Sequence, residues 1–310
     1  MAKSVGPPPA ASRVRVRVPA TSANLGPGFD ALGLALALYN EVILEPHSGV
    51  AVSIEGEGAD HLERDEGNVV VRGARAVYER LGRPFPGIKV ACVNRIPTAR
   101  GLGSSAAAWL AGIVGANALL GSPLDRDTLL GLAASGEGHP DNVAAALLGG
   151  LTVACWSEGR VVAASLPVPP EIRWVVLIPE ARASTAEARA ILPETVSRAD
   201  AVFNLQRVGL LLAALRDGNA ALLAVAMEDR LHQPYRRRLF PWMERVTAAA
   251  RSAGAAGCVL SGAGPALLAA VKGAAERVAL AMESALRESG VRGRTVVLEV
   301  DSVGTIWEAV

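Results

Sequence analysis

Between residues 97 and 107 the chain reads Pro97-Thr98-Ala99-Arg100-Gly101-Leu102-Gly103-Ser104-Ser105-Ala106-Ala107, and this stretch constrains the fold more than any other. Gly101 and Gly103 carry no Cβ, so the backbone can take positive φ and another group can approach it closely. Ser104 and Ser105 are of the type that caps a helix N-terminus. The segment from Ala106 to Leu120 then reads as a helix with Trp109, Ile113, Ala116 and Leu120 on one apolar stripe. A glycine loop opening into a helix start presents unpaired N–H groups and a positive dipole end, which together suit an anion. The loop is not a Walker motif, because no Lys-Ser/Thr pair ends it. It is not a dinucleotide fingerprint, because Ala106 stands where the third glycine belongs. Taken alone, the pattern also fits a capped helix after a tight turn, and that plainer reading is the commoner one.

With 310 residues the chain exceeds the usual size of a single core, so two packed lobes are expected. It is 51% hydrophobic and 20% charged, a globular composition. A net charge of +1 gives no general electrostatic case for nucleic acid or an anionic membrane. Cys92, Cys155 and Cys258 are scattered among apolar neighbours, which reads as core packing in a reducing compartment. The four histidines are scattered too, which argues against a zinc site. The segment from Gly101 to Leu124 is uncharged and long enough to span a bilayer, but its glycines, serines and proline favour a buried helix. Residues 1 to 12 read as a loose leader without an apolar signal segment, and the expected location is the cytoplasm.

In order along the chain, Arg13 to Val18 alternates Arg and Val, the period of a half-buried strand. A turn-rich stretch, Pro19 to Asp30, separates it from apolar Ala31 to Leu38 and from strands over Glu41 to Glu45 and Val50 to Glu55. Helices are expected over Asn68 to Leu81, Asp125 to Glu137 and Val143 to Leu148, with strands at Gly87 to Val93, Leu151 to Cys155 and Val161 to Leu166. Pro167-Val-Pro-Pro170 marks the domain boundary, so that 13–166 and 171–310 form the two lobes. Beyond it come a strand at Trp174 to Ile178, helices at Ala183 to Leu192 and Arg198 to Arg216, and another helix after Asp217-Gly-Asn219. Strands at Ala256 to Leu260 and Ala266 to Val271, a helix at Ala274 to Glu288 and a strand at Thr295 to Val300 close the reading.

Three further stretches are polar and specific. Thr21-Ser-Ala-Asn24 with Asp30 fits an Asx-type turn or a ligand site equally well. Glu137-Gly-His139-Pro-Asp141-Asn142 is either a solvated turn or a place for a cation and a polar substrate, since magnesium takes one or two carboxylates plus phosphate oxygens. Ser261-Gly-Ala-Gly-Pro265 is either a plain turn between strands or a second backbone wall near phosphate. Arg189 and the Arg236-Arg237-Arg238 cluster can bind an anion, although a solvated face is the commoner fate of one arginine.

Four of these segments occur together in an order that resembles the GHMP-type small-molecule kinases. They are Pro19 to Gly33, Pro97 to Ala106, Glu137-Gly-His-Pro-Asp-Asn-Val143 and Leu260-Ser-Gly-Ala-Gly-Pro265. The first and third, with Glu228-Asp-Arg-Leu-His-Gln-Pro-Tyr-Arg236, resemble the homoserine kinase branch. The resemblance spans about residues 13 to 300. It implies an α+β fold with an amino-terminal lobe like domain 2 of ribosomal protein S5 and a ferredoxin-like carboxy-terminal lobe. It implies ATP with its phosphates on Pro97 to Ala107, Asn68 at the adenine pocket, and Mg2+ on Ser104 and Glu137. L-Homoserine would contact Asn24, Asp30, His139, Asp141, Thr185, Arg189 and Arg236, in a step of threonine biosynthesis. A homodimer is implied, with no nucleic-acid or membrane partner. Ala266 departs from the family, where a hydroxyl residue is frequent after Gly-Pro.

The chemistry agrees with these roles. A zwitterion needs bidentate arginine for its carboxylate and acidic groups for its ammonium. Arg189 and Arg236 suit the first, and Asp30 or Asp141 the second. Phosphoryl transfer needs positioning and charge neutralisation more than covalent chemistry. Glu137 and Asp141 are the expected catalytic residues, Asp141 as acceptor of the hydroxyl proton unless the ammonium occupies it. A mevalonate- or sugar-type kinase is the near rival, and a nucleotide-binding sensor without turnover the distant one. A nicotinamide dehydrogenase fits worst.

Overall fold

The Arg-Val alternation forms as expected: β1 (Val14–Asn24) buries Val14, Val16 and Val18 and leaves Arg15 and Arg17 half-buried. The computed structural model describes residues 11–310, so residues 1–10 of the expected leader lie outside the described residues. The apolar stretch and the strand expected next are one long strand, β2 (Gly28–Pro46), antiparallel to β1. Its continuity through the polar Tyr39-Asn40 break has a local cause. The register slips between Pro19 and Ala20, whose partners are Tyr39 and Leu36. Asn40, buried at that slip, accepts the amides of Arg95 at 2.8 Å and Ile96 at 3.0 Å.

β3 (Gly49–Gly56) and β4 (Gly87–Asn94) pair in parallel, connected through α1 (Val69–Arg80). α2 (Ser104–Leu119) follows the glycine loop and packs against α1, β1, β2 and α4 (Asp141–Leu148). It is buried around nearly its whole circumference, not on one stripe, because the sheet lies on one side and helices on the others. α3 (Arg126–Glu137) starts on an Asp125 cap, and the β5 (Leu151–Ser157) and β6 (Arg160–Leu166) hairpin joins β2 at Leu32 to Leu34.

After Pro167 to Pro170, β7 (Arg173–Pro179) opens a second sheet. It is followed by α5 (Thr185–Ala190), α6 (Arg198–Arg216), α7 (Ala220–Ala226), α8 (Gln233–Arg236) and α9 (Met243–Ser252). β8 (Gly257–Leu260), β9 (Leu267–Val271), α10 (Ala275–Glu288) and β10 (Gly293–Leu298) complete this lobe. The sheet is antiparallel in the order β10-β7-β9-β8, the strand order of a ferredoxin-like unit. Along β7, Val175 and Leu177 face α9 and α10, whereas Trp174 and Val176 join the amino-terminal core, so both lobes share apolar contact.

The last strand, β11 (Ile306–Ala309), was not expected. It pairs antiparallel with β1, so residues 306–309, assigned by sequence to the second lobe, belong to the first sheet. Cys92 and Cys258 are buried as expected, but Cys155 is exposed on β5. Among the described residues no helix is long and apolar enough to cross a membrane.

Candidate active site

The glycine loop owes its shape to three positive-φ residues, Ala99 and two glycines. Gly101 has φ +77° and Gly103 +68°, and Gly103 itself, in the left-handed region, is the N-cap of α2. The serines expected to cap the helix are therefore its first two residues. Ala107 N is the first amide to bond back, to Gly103 O at 2.9 Å, which leaves the amides of Ser104, Ser105 and Ala106 without an intrahelical acceptor. A Cβ on Gly101 would lie 2.2 Å from Ser261 O, and one on Gly103 2.0 Å from Thr21 Oγ1. The loop is thus wedged between β1 and the β8–β9 turn. The turn is a plain strand connection that also packs on the loop. Ser261 to Pro265 links two antiparallel strands, and it also walls the loop: Ser261 Oγ donates to Gly101 O at 2.6 Å, and Ala266 N donates to Arg100 O at 3.1 Å.

Two clefts meet at this loop, sharing Ala99, Ser104 and Ser105. The larger, of about 1170 Å³, is walled mainly by apolar side chains such as Val42, Ile54, Val69 and Val70. Asn68 lines it, but its side chain is engaged in the fold: Oδ1 accepts Val70 N at 2.9 Å and Nδ2 donates to Glu63 O at 2.7 Å, capping α1. Thr98 lines this cleft as well, whereas Ala99 to Ala106 line the polar one. Pro97 and Ala107 are buried and line neither, and Leu102 points into the core. Arg100 contributes backbone only. Its guanidinium turns away from the clefts to Pro179 O and Glu180 O, both at 2.7 Å, and fastens the loop to the end of β7.

The second cleft, of about 670 Å³, gathers nearly all the polar residues singled out by sequence. Glu137, at the end of α3, accepts a hydrogen bond from Ser105 Oγ at 2.7 Å. Ser105, not Ser104, is thus the hydroxyl on this carboxylate. Asp141 opens α4 and is 2% exposed; its Oδ1 accepts from Asn142 N and His139 Nδ1, both at 2.7 Å. Its Oδ2 has no protein partner among the described residues. The hydrogen bond to Asp141 raises the His139 pKa above its ordinary 6.5, against the opposing effect of burial.

Asp30 and Arg189 occupy one wall as a bidentate pair, 2.6 and 2.9 Å. Asp30 has φ +55°, and its amide donates to Asn24 Oδ1 at 3.0 Å, while Asn24 Nδ2 donates to Gly262 O at 3.0 Å. Asn24 is therefore a clamp between β1 and the β8–β9 turn as well as a cleft residue. Thr185, the first residue of α5, lines the rim.

Arg236 is the most unusual residue here. It is 1% exposed, yet no carboxylate lies within 4 Å of it among the described residues. Nε donates to Ala188 O at 3.1 Å and Nη1 to Gly262 O at 3.0 Å. Burial pushes its pKa down to about 10, with Arg189 adding to the effect. Its neighbour His232 is fully buried; Nε2 donates to Gly26 O at 2.8 Å, so Nδ1 is the acceptor facing Arg236 Nη1 at 3.1 Å. Desolvation lowers the His232 pKa, which keeps the ring neutral beside the cation. α8 ends at Arg236, and Arg237 and Arg238 lie in the turn after it, exposed to solvent.

Sequence reading missed Ser105 on Glu137, and it missed Phe29 and His232. Phe29 stacks on His232 with ring centroids 5.3 Å apart and lies under both guanidinium groups, 5.6 Å from Arg189 and 5.4 Å from Arg236. Asp229 was missed too; it accepts the amides of Leu231, His232 and Gln233 and so starts α8. The one signal for these residues was their place inside segments already singled out, Gly28-Phe-Asp30 and Glu228 to Arg236.

Comparison with known proteins agrees with this geometry. The GHMP kinases N terminal domain matches residues 68–150, and the GHMP kinases C terminal domain residues 211–288. A homoserine kinase of Moorella thermoacetica is 48% identical over 277 residues, 89% of this chain and 94% of its own length. One of Carboxydothermus hydrogenoformans is 45% identical over 294 residues, 94% of this chain and 96% of its own. The crystal structure of a homoserine kinase from Cytophaga hutchinsonii superimposes with a TM-score of 0.85 at 32% identity, covering 96% of this chain and 98% of that one. The chain therefore belongs to the GHMP kinases, within their homoserine kinase branch.

Proposed function

We infer that the chain transfers the γ-phosphoryl group of ATP to the side-chain hydroxyl of L-homoserine, giving O-phospho-L-homoserine, a step of threonine biosynthesis. The observation that carries this reading is Arg236, a buried guanidinium with no carboxylate partner, in the same cleft as the glycine loop. A buried cation is costly unless an anion joins it. A substrate carboxylate at its unengaged Nη2 supplies that anion. The Asp30–Arg189 pair suits the rest of a zwitterion. Both side chains are about one-third exposed, so the pair is weak and opens readily. The substrate ammonium replaces Arg189 on Asp30, and the substrate carboxylate replaces Asp30 on Arg189, with no change in net charge.

With the ammonium on Asp30, Asp141 is left for the hydroxyl. Asn142 and His139 hold its Oδ1, so Oδ2 is the oxygen that receives the hydroxyl hydrogen bond and then its proton. The homoserine oxygen bonds to the γ-phosphorus as the bond to ADP breaks. The apolar cleft takes the adenine, and the triphosphate runs past Ala99, Ser104 and Ser105 toward the polar cleft, over the unbonded amides of α2. The paired Glu137 carboxylate and Ser105 hydroxyl, with Ser104 beside them, are hard oxygen donors that fit Mg2+. A magnesium ion held by these oxygens would supply charge neutralisation for the triphosphate. A cytoplasmic homodimer completes the proposal, and light scattering after size exclusion tests the dimer.

A coupled ADP-release assay with homoserine, mevalonate and galactose tests the substrate. Turnover with homoserine alone supports it, and preference for either other alcohol refutes it.

A further inference from the structure

The glycine loop carries no lysine, and a triphosphate brings several negative charges to it. The chain has only three lysines, Lys3, Lys89 and Lys272. Lys89 pairs with Glu45 on the first sheet, and Lys272 donates to Gly218 O, both away from the clefts. Among arginines lining the two clefts, Arg100 is turned onto Pro179 O and Glu180 O, Arg189 is paired with Asp30, and Arg236 is buried on Ala188 and Gly262. The fourth is Arg182. It lines the apolar cleft, is exposed, and makes no ion pair or hydrogen bond among the described residues.

The backbone holds Arg182 in place. It lies between β7 and α5, in the crossing segment that Arg100 grips at Pro179 O and Glu180 O. One residue further on, Ala183 N donates to Ala99 O of the glycine loop at 3.4 Å. Arg182 thus projects from the second lobe at the point where the loop is stapled to it. Its charge reaches both Arg100 and the exposed Asp60, and Glu63 is the acidic group lining the same cleft.

We propose that Arg182 is a nucleotide-binding residue that neutralises the ATP phosphates from the carboxy-terminal lobe, in place of the missing loop lysine. The proposal rests on the assignment of the two clefts to ATP and homoserine. A guanidinium is suited to the task because its fork meets two phosphate oxygens at once. Its exposure means that salt weakens the contact.

Titration of the protein with ATP and with adenosine, in excess magnesium and at two salt concentrations, tests it. R182A should weaken ATP binding by about 10-fold at low salt and less at high salt, with adenosine affinity unchanged and homoserine KM within about twofold. R182K should recover part of the ATP affinity. Unchanged ATP affinity in R182A beside a wild type that binds ATP overturns the proposal alone. Equal losses for ATP and adenosine also overturn it, because they mark distortion of the cleft. A wild type that binds no ATP overturns the assignment of the clefts and this proposal with it.

Discussion

Replacing Arg236 by alanine should damage homoserine recognition and leave ATP recognition nearly intact. The guanidinium is 1% exposed, and its pKa falls from 12.5 to about 10, mainly by desolvation. At roughly 1.4 kcal/mol per unit, that is about 3 kcal/mol by which the unliganded site disfavours the charge. A bound carboxylate returns part of this, in the range of about 1.5 to 3 kcal/mol for a charged hydrogen bond. The homoserine KM should therefore rise roughly 10- to 100-fold in R236A. Stability should change less than the lost hydrogen bonds suggest. Truncation strips donors from Ala188 O, Gly262 O and His232 Nδ1, but it also removes a buried charge. Steady-state kinetics with each substrate varied is the assay. R237A is the control, since Arg237 is exposed and paired with Glu244; both its constants should stay near wild type. A homoserine defect in R237A but not in R236A, or an R236A defect confined to ATP, refutes the reasoning.

Glu137→Gln should lower kcat by about 10²-fold or more, because a charge contact to the transferring phosphates is lost. Near-normal turnover at limiting magnesium would remove Glu137 from the metal site. Gly101→Ala should cost at least about 2 kcal/mol, because φ is +77° and the new Cβ meets the Ser261 carbonyl at 2.2 Å. A denaturant midpoint equal to wild type contradicts that. His139→Asn tests the raised pKa of His139. A folded pKa above the unfolded 6.5 means that the His139–Asp141 pair stabilises the fold fully below pH 6.5. That contribution is lost as pH rises through the folded pKa. The gap in melting temperature between wild type and H139N should therefore be widest in mild acid and narrow toward alkaline pH. A gap that widens with pH refutes the assignment.

Most of the fold was legible wherever periodicity and burial agree. Val14, Val16 and Val18 alternate against arginines, and Asn68 and Asp125 stand where caps should. β2 was read as two pieces because sequence does not reveal that Asn40 satisfies Arg95 and Ile96 across a register slip. β11 was invisible for a related reason. Its four residues are exposed and find their partner nearly three hundred positions away in β1. α2 lost its expected stripe because helices cover the faces the sheet leaves open. In the site, motif position located the acidic and basic residues. It could not show that Arg189 and Asp30 face each other, that Asn68 is engaged in a cap, or that Ser105 is the hydroxyl on Glu137. Those are consequences of where one side chain falls beside another from a distant segment.

The comparison of kcat/KM for L-homoserine with that for two truncated alcohols tests zwitterion recognition most directly. 4-Hydroxybutyrate lacks the ammonium, and 3-aminopropan-1-ol lacks the carboxylate. With Arg236 and Arg189 on one end and Asp30 on the other, each analogue leaves a charged side chain unmatched, and each should lose about 10²-fold or more. Phosphorylation of either analogue at a kcat/KM close to that of L-homoserine would contradict the assignment of the polar cleft.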